Sequence, residues 1–269
     1  MIGQINLQKM LIDLVKRKKF PRFSLLIGGV GSGRRTLIRE TLKDLGNYCE
    51  CGIDVDTVRS IIEQAYIQVE PMVYVFPNAD SMSVAAKNAL LKVTEEPPNN
   101  AYFIMTLMSI ENTLNTIRSR ATVFSMDAYD NSQLSYYFLE RTDHKGENFK
   151  AVEQYCEHTG DVNLLCTYDI DGFQKFVKTV VENIAKVSGA NSFKIGDKLN
   201  LGNDDEKYDL ALFLKAFKAE CFNNIKSEPM KCIKAMELTN KRLADLRVAG
   251  INKLMVFDTW LLDIRGAWM

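Results

Sequence analysis

Leu25-Leu26-Ile27-Gly28-Gly29-Val30-Gly31-Ser32-Gly33-Arg34-Arg35-Thr36 runs from an apolar strand pattern through a glycine-rich turn into a polar, helix-forming stretch, and its reading decides the fold. Strand, glycine loop and helix in that order are the parts of a phosphate-binding loop. The working pattern, G-x-x-x-x-G-K-[ST], cradles phosphates with backbone N–H groups, reaches the outer phosphates with a Lys and holds Mg²⁺ with a hydroxyl. Gly28 and Gly33 stand at the two fixed glycines, with Gly31 between them. The Lys position is Arg34 and the hydroxyl position is Arg35, with Thr36 one residue late. The sequence keeps the architecture of such a loop and lacks the two side chains that do its chemistry. Two readings stay open: a turn retained for its tight geometry, and an anion site in which Arg34 and Arg35 draw sulfate or a nucleotide to a helix N-terminus.

Working outward from the loop, Ile5, Leu7, Leu11, Ile12 and Val15 have helical spacing within Gln4 to Lys19, and Phe20-Pro21 ends that helix. Phe23 to Ile27 is a buried strand, and Leu37, Leu42 and Leu45 continue the next helix until Gly46 and Asn47 stop it. Tyr48 to Gly52 reads as a short strand, followed by a helix capped at Asp54 or Asp56, with Val55, Val58, Ile61, Ile62 and Ala65 on one face. Met72 to Phe76 is a strand and Ser83 to Glu96 a helix terminated by Pro97-Pro98. Tyr102 to Leu107 is a strand, Glu111 to Ile117 a short helix and Thr122 to Ser125 a strand. Strands and helices alternating at these lengths predict a parallel sheet covered on both faces. After Met126 the strand signal stops. Asn131 to Asp169 reads as a small helical unit with a turn at Gly160-Asp161, and Ser188 to Glu206 as a long loop. Apolar stripes at 173–184 and 210–221, with helices over 230–247 and 252–264, complete an all-helical end. The expected organisation is an α/β domain over 1–127, a helical lid over 128–170 and a helical C-terminal domain over 171–269.

Composition narrows the class without choosing a function. With 269 residues and 46% hydrophobic side chains the chain can bury a sizeable core. Lys plus Arg and Asp plus Glu both number 34, so no global basic field advertises nucleic acid or a membrane surface, and any such contact must be local. Met1 to Lys19 mixes charges with apolar residues at helical spacing, unlike a signal peptide or a transmembrane span, so the expected location is cytoplasmic. The six cysteines lack CxxC spacing, and only Cys49 and Cys51 lie close together; reduced thiols and no metal are expected. His144 and His158 suggest nothing catalytic. Lys16-Arg17-Lys18-Lys19 reads as a phosphate-tracking patch or as a solvated helix end favourable to its dipole. Asn240, Trp260 and Trp268 are assigned to packing or subunit contact.

Asn88-Ala89-Leu90-Leu91-Lys92-Val93-Thr94-Glu95-Glu96-Pro97-Pro98, followed by Ile117-Arg118-Ser119-Arg120, resembles the N-A-L-L-K-x-x-E-E-P-P and S-R-C boxes of the bacterial clamp-loader subunits of the AAA+ superfamily. Ile2-Gly3-Gln4 is similar to the family's opening G-Q box, and Ile251-Asn252-Lys253-Leu254 is a loose match near the other end. The resemblance implies an AAA+ P-loop α/β domain, a lid and an all-α collar that assembles a ring. The departures fall on the ATP site. Where active members end a strand in Asp-Glu, Val73-Tyr74-Val75-Phe76 is followed by Pro77 and Asn78. Asp80 lies further on, the lid's second-sensor arginine falls on Asn163, the zinc insert is absent, and the third residue of the S-R-C box is Ala121.

By resemblance, Arg120 is the residue offered across a subunit interface to a neighbour's γ-phosphate, where a fixed guanidinium stabilises transferring charge, and Ser119 helps position it. The competing reading of Arg120 is a solvated charge at a helix end. Glu95 and Glu96 are adjacent on a helix and do not face one another, so they do not form an acid/base pair. The implied function is a non-hydrolysing, stator-like subunit of a sliding-clamp loader in DNA replication. Its expected partners are the other loader subunits, the sliding clamp and, through the assembly, primer–template DNA, without a membrane. It needs no cofactor of its own, because the neighbouring subunits hold the ATP. The alternatives are a non-hydrolysing nucleotide sensor in which Arg34 replaces Lys, and a slow ATPase drawing its carboxylate from Asp80.

Overall fold

The computed structural model describes residues 3–29, 31–142, 148–184, 194–202, 207–248 and 250–268. Ile2, Val30, His144 and residues 188–193 and 203–206 of the expected loop lie outside the described residues. The chain divides into two compact units, Met1–Tyr129 and Asp130–Met269. The second begins two residues into the expected lid range and holds the rest of it together with the expected collar range.

The first unit is built on five parallel strands: β1 Phe23–Ile27, β2 Asn47–Glu50, β3 Met72–Phe76, β4 Ala101–Leu107 and β5 Thr122–Ser125, in the order β2-β3-β4-β1-β5. Parallel strands alternate their side chains between two faces, and both faces are packed here. Leu25, Tyr74, Phe76, Phe103 and Met105 meet Val58, Ile61, Ile62 and Ala65 of α3 (Val55–Ile67), together with Ala86 of α4 (Val84–Ala89) and Val93 of α5 (Leu91–Glu95). Leu26, Val73, Val75, Ile104 and Phe124 on the other face meet Leu7 and Leu11 of α1 (Ile5–Lys16) and Leu37 and Ile38 of α2 (Arg34–Thr41). Leu25 and Leu26 thus anchor opposite layers one residue apart, which is why apolar residues stand side by side in the strand feeding the glycine loop.

Several elements differ from the sequence expectation. The helix expected over Ser83 to Glu96 is interrupted at Leu90, between α4 and α5. That expected over Glu111 to Ile117 is a 3₁₀ turn, Ile110–Asn112, followed by α6, Asn115–Arg118. Helical periodicity cannot separate one helix from two short pieces sharing a face. A short parallel pairing, Leu199–Asn200 with Tyr208–Asp209, lies in and beside the stretch read as loop; two-residue strands carry too little pattern to be seen in sequence.

The second unit is largely helical: α7 Asn131–Leu139, α8 Phe149–Tyr155, α9 Thr159–Leu165, α10 Ile170–Asn183, then helices Leu210–Asn223, Pro229–Asp245 and Lys253–Trp268. Phe213, Phe217 and Phe257 surround the fully buried Trp260, whose Nε1 donates to Thr239 Oγ1 at 3.1 Å. Trp260 is a packing residue. Gly160 and Asp161, expected to make a turn, lie inside α9, where the Asp161 carboxylate accepts from the Glu157 and His158 N–H groups and from Lys215.

Candidate functional site: a glycine loop and an anchored arginine

Gly28 leaves β1 while its N–H still donates to Leu107 at 3.0 Å, so the sheet ladder runs into the loop. A Cβ on Gly28 would lie 2.7 Å from Ser32 Oγ and 3.1 Å from Met126 Sδ. Gly31 and Gly33 take left-handed backbone, φ 76 and 84, and Gly33 is the N-cap of α2. These positions favour glycine for geometry alone. Ser32, in this turn, is held by the rest of the chain. Ser32 is buried, its N–H donates to Gly29 O at 3.2 Å, and its carbonyl accepts from Tyr129 Oη at 2.7 Å. Met126 and Tyr129, just past β5, therefore strap the loop. The segment before α1 is tied to the same stretch: the Gln4 amide donates to Asp127 O at 2.7 Å and accepts from its N–H at 2.9 Å.

The two arginines part company. Arg35 points outward, 3.7 Å from Glu50, a carboxylate that also accepts from Arg39 at 2.8 Å and from Tyr48 at 2.7 Å. Thr36 is exposed. Arg34 turns inward and is 8% exposed; its Nη2 donates to Asn78 Oδ1 at 3.3 Å, and its Nη1 is buried without a hydrogen-bond partner. Burial lowers the Arg34 pKa, the Asp80 charge opposes that, and Arg35 adds to it. Arg34 still carries its charge at any physiological pH. Asn78 holds left-handed backbone, φ 51, at the end of β3, and its N–H donates to Thr106 Oγ1 at 3.0 Å.

The donor set does not fit the divalent cation that accompanies a nucleotide. Mg²⁺ wants oxygen anions at short range, and the side chain that meets Arg34 of the loop is the neutral amide of Asn78. Asp80, the alternative carboxylate, accepts the Met108 N–H at 2.9 and 3.0 Å and the Asn112 side-chain amide at 2.7 Å. Among the described residues no group of three or more His, Cys, Asp or Glu side chains could hold a metal ion. Asn163, at the expected second-sensor position, accepts a hydrogen bond from Tyr137 Oη at 3.0 Å.

Arg120 is built differently. Helix α6 tightens at its end: both the Arg120 and Ala121 N–H groups go to Ile117 O at 3.0 Å, leaving Thr116 O without its usual backbone donor. Ser119 Oγ at 3.1 Å and Arg120 Nη1 at 2.9 Å fill that acceptor. Arg120 Nη2 meets Glu95 Oε1 at 2.9 Å, with the two side chains 40% and 56% exposed. Glu95 is the last residue of α5, placed there because Glu96, which precedes Pro97, leaves helical geometry at φ −127, ψ 72. The two boxes, about twenty residues apart in sequence, thus meet as one ion pair. Spacing along the chain could not reveal it, because the partner of Glu95 lies on α6 and not beside it on α5.

A Thermotoga maritima DNA polymerase III gamma subunit-related protein superposes with a TM-score of 0.60 at 16% identity, covering 97% of this chain and 99% of that one. A Thermotoga maritima RuvB mutant superposes at 0.57 with 15% identity, covering 97% and 88%. The chain therefore shares the fold of these proteins, a parallel α/β unit and a helical C-terminal region. The family model "DNA polymerase III, delta subunit" matches residues 42–130. A Yersinia pestis DNA polymerase III subunit delta′ is 38% identical over 71 residues, 25% of this chain and 21% of that protein. A Haemophilus influenzae subunit delta′ is 36% identical over 92 residues, 33% and 28%. A Buchnera aphidicola subunit gamma is 26% identical over 181 residues, 55% and 49%. Over the matched segments the chain is similar to delta′ and gamma subunits of DNA polymerase III, and those segments span about half or less of the length of these relatives.

Among the described residues no helix is long and apolar enough to cross a membrane.

Proposed function

We propose that this chain is a delta-prime-like, non-hydrolysing subunit of a cytoplasmic DNA polymerase III clamp loader. In that reading it scaffolds a ring with the other loader subunits and offers Arg120 in trans to a neighbouring ATP site, while the sliding clamp and primer–template DNA are engaged by the assembly. It would hold no catalytic nucleotide or metal of its own, and an organisation as ATPase-fold domain, lid and collar, bounded near 127 and 170, serves that role. The observation that carries the reading is the contrast between the two sites. The loop that would hold ATP is packed with Ser32, Met126 and Arg34 and faces the neutral Asn78, whereas Arg120 is anchored and partly exposed, its guanidinium at a helix end. A guanidinium fixed in advance costs no reorganisation when charge develops beside it.

The test is reconstitution with the cognate motor subunits. Arg120→Ala is expected to lower the ring's DNA-stimulated ATP hydrolysis by about tenfold or more; an unchanged rate refutes the trans-arginine role. The buried, unpartnered Nη1 of Arg34 supports a second reading, a nucleotide sensor that binds without hydrolysing. Calorimetry with ATP and Mg²⁺ on the isolated chain separates the two, micromolar binding favouring the sensor and no binding the stator.

A further inference from the structure

The geometry points to Glu95 as a positioning residue for Arg120, acting from a different helix to fix the orientation in which the guanidinium is presented to a neighbour's phosphates. This inference rests on the reading of Arg120 given above and adds a residue to it.

Three observations carry it. First, the guanidinium is held at two points, Nη1 by Thr116 O at 2.9 Å and Nη2 by Glu95 Oε1 at 2.9 Å, so rotation about the terminal bonds of the side chain is restrained from two directions. Two of its five N–H donors are committed in this way, and with the side chain 40% exposed the group retains capacity toward an outside anion. Second, Glu95 serves no visible purpose in its own helix. A carboxylate at the last helical position opposes the partial negative charge of a C-terminus, and its partner lies on α6 rather than one turn away on α5. An exposed ion pair of this kind adds little stability, so its geometric effect outweighs its energetic one. Third, both ends of the pair are set by backbone features. Pro97 fixes where α5 stops, and the tightened end of α6 frees Thr116 O to accept the Arg120 side chain.

A pre-oriented arginine matters when charge develops in the transition state, so loss of the restraint is expected to lower kcat more than it raises KM. In the reconstituted ring, with ATP as substrate and primed DNA present, Glu95→Ala is expected to reduce kcat about three- to tenfold with KM for ATP within about twofold of wild type. Glu95→Gln, which keeps the shape and an acceptor oxygen without the charge, should fall between the two. In the Arg120→Ala background Glu95→Ala should change nothing further, because the two act as one unit. Matching thermal melts of the free variants, expected for an exposed side chain, confirm that folding is unaffected. If Arg120→Ala slows the ring while both Glu95 variants match wild type, the positioning role is overturned and the trans-arginine reading stands. If the Glu95 variants slow the ring equally with and without Arg120, Glu95 acts through something else and the inference is wrong. If Arg120→Ala itself has no effect, the reading beneath both is refuted.

Discussion

Arg34 is buried beside the glycine loop, its Nη2 donating to Asn78 Oδ1 at 3.3 Å. The pattern invites the idea that restoring the missing residues restores the site, so that Arg34→Lys with Arg35→Thr would rebuild a working loop. The structure argues otherwise. The partner across from position 34 is Asn78, and Asp80 is occupied with the Met108 N–H and Asn112. The double variant is therefore expected to show no ATP turnover above the wild-type background in a phosphate-release assay, since a metal–nucleotide pair still lacks a carboxylate. Turnover appearing in that variant would mean that the lost lysine alone silenced the site. The substitutions at 34, 35, 77 and 78 were legible in sequence. The inward turn of Arg34 and the outward turn of Arg35 were not, because adjacent residues on a helix point about 100° apart and which of them faces the sheet depends on where α2 begins.

At the scale of elements, Glu50 ties α2 to the edge strand β2. It accepts from Tyr48 and Arg39 and lies 3.7 Å from Arg35. The Tyr48 hydrogen bond, helped by the Arg35 and Arg39 charges and opposed by partial burial, holds the Glu50 carboxyl below its ordinary value. A carboxyl whose pKa is lowered in the folded state contributes stability above its unfolded value, and that contribution fades as pH falls through the folded one. Denaturant titrations of wild type and Glu50→Gln should thus differ near neutral pH and converge in acid, below the usual carboxylate range. The neutral-pH gap should be under about 1 kcal/mol because the group is partly screened by solvent. A gap that persists unchanged into acid would show that the pairing is not electrostatic. The strands were readable at this scale because each is an apolar run bounded by turn residues. The break at Leu90 and the split into a 3₁₀ turn and α6 were not, since they depend on local hydrogen bonding that leaves the burial pattern intact.

Over the whole molecule the equal count of 34 basic and 34 acidic residues sets an expectation for nucleic acid. Non-specific binding comes from phosphate neutralisation, so the isolated chain should bind a primer–template duplex more weakly than about 100 µM at 150 mM salt by fluorescence anisotropy. Tight, salt-sensitive binding by the isolated chain would place DNA contact in this chain rather than in the assembly. The alternating apolar runs determined a parallel sheet covered on both faces, and the glycine loop with the two later boxes determined the class, because periodicity and turn chemistry are local properties of the chain. The tertiary structure alone decided that Met126 and Tyr129 hold Ser32 of the loop, that Asn78 takes Arg34, and that Glu95 reaches Arg120. Those contacts join residues from 25 to 97 positions apart, and no pattern along a chain encodes which distant side chains folding will bring within hydrogen-bond reach.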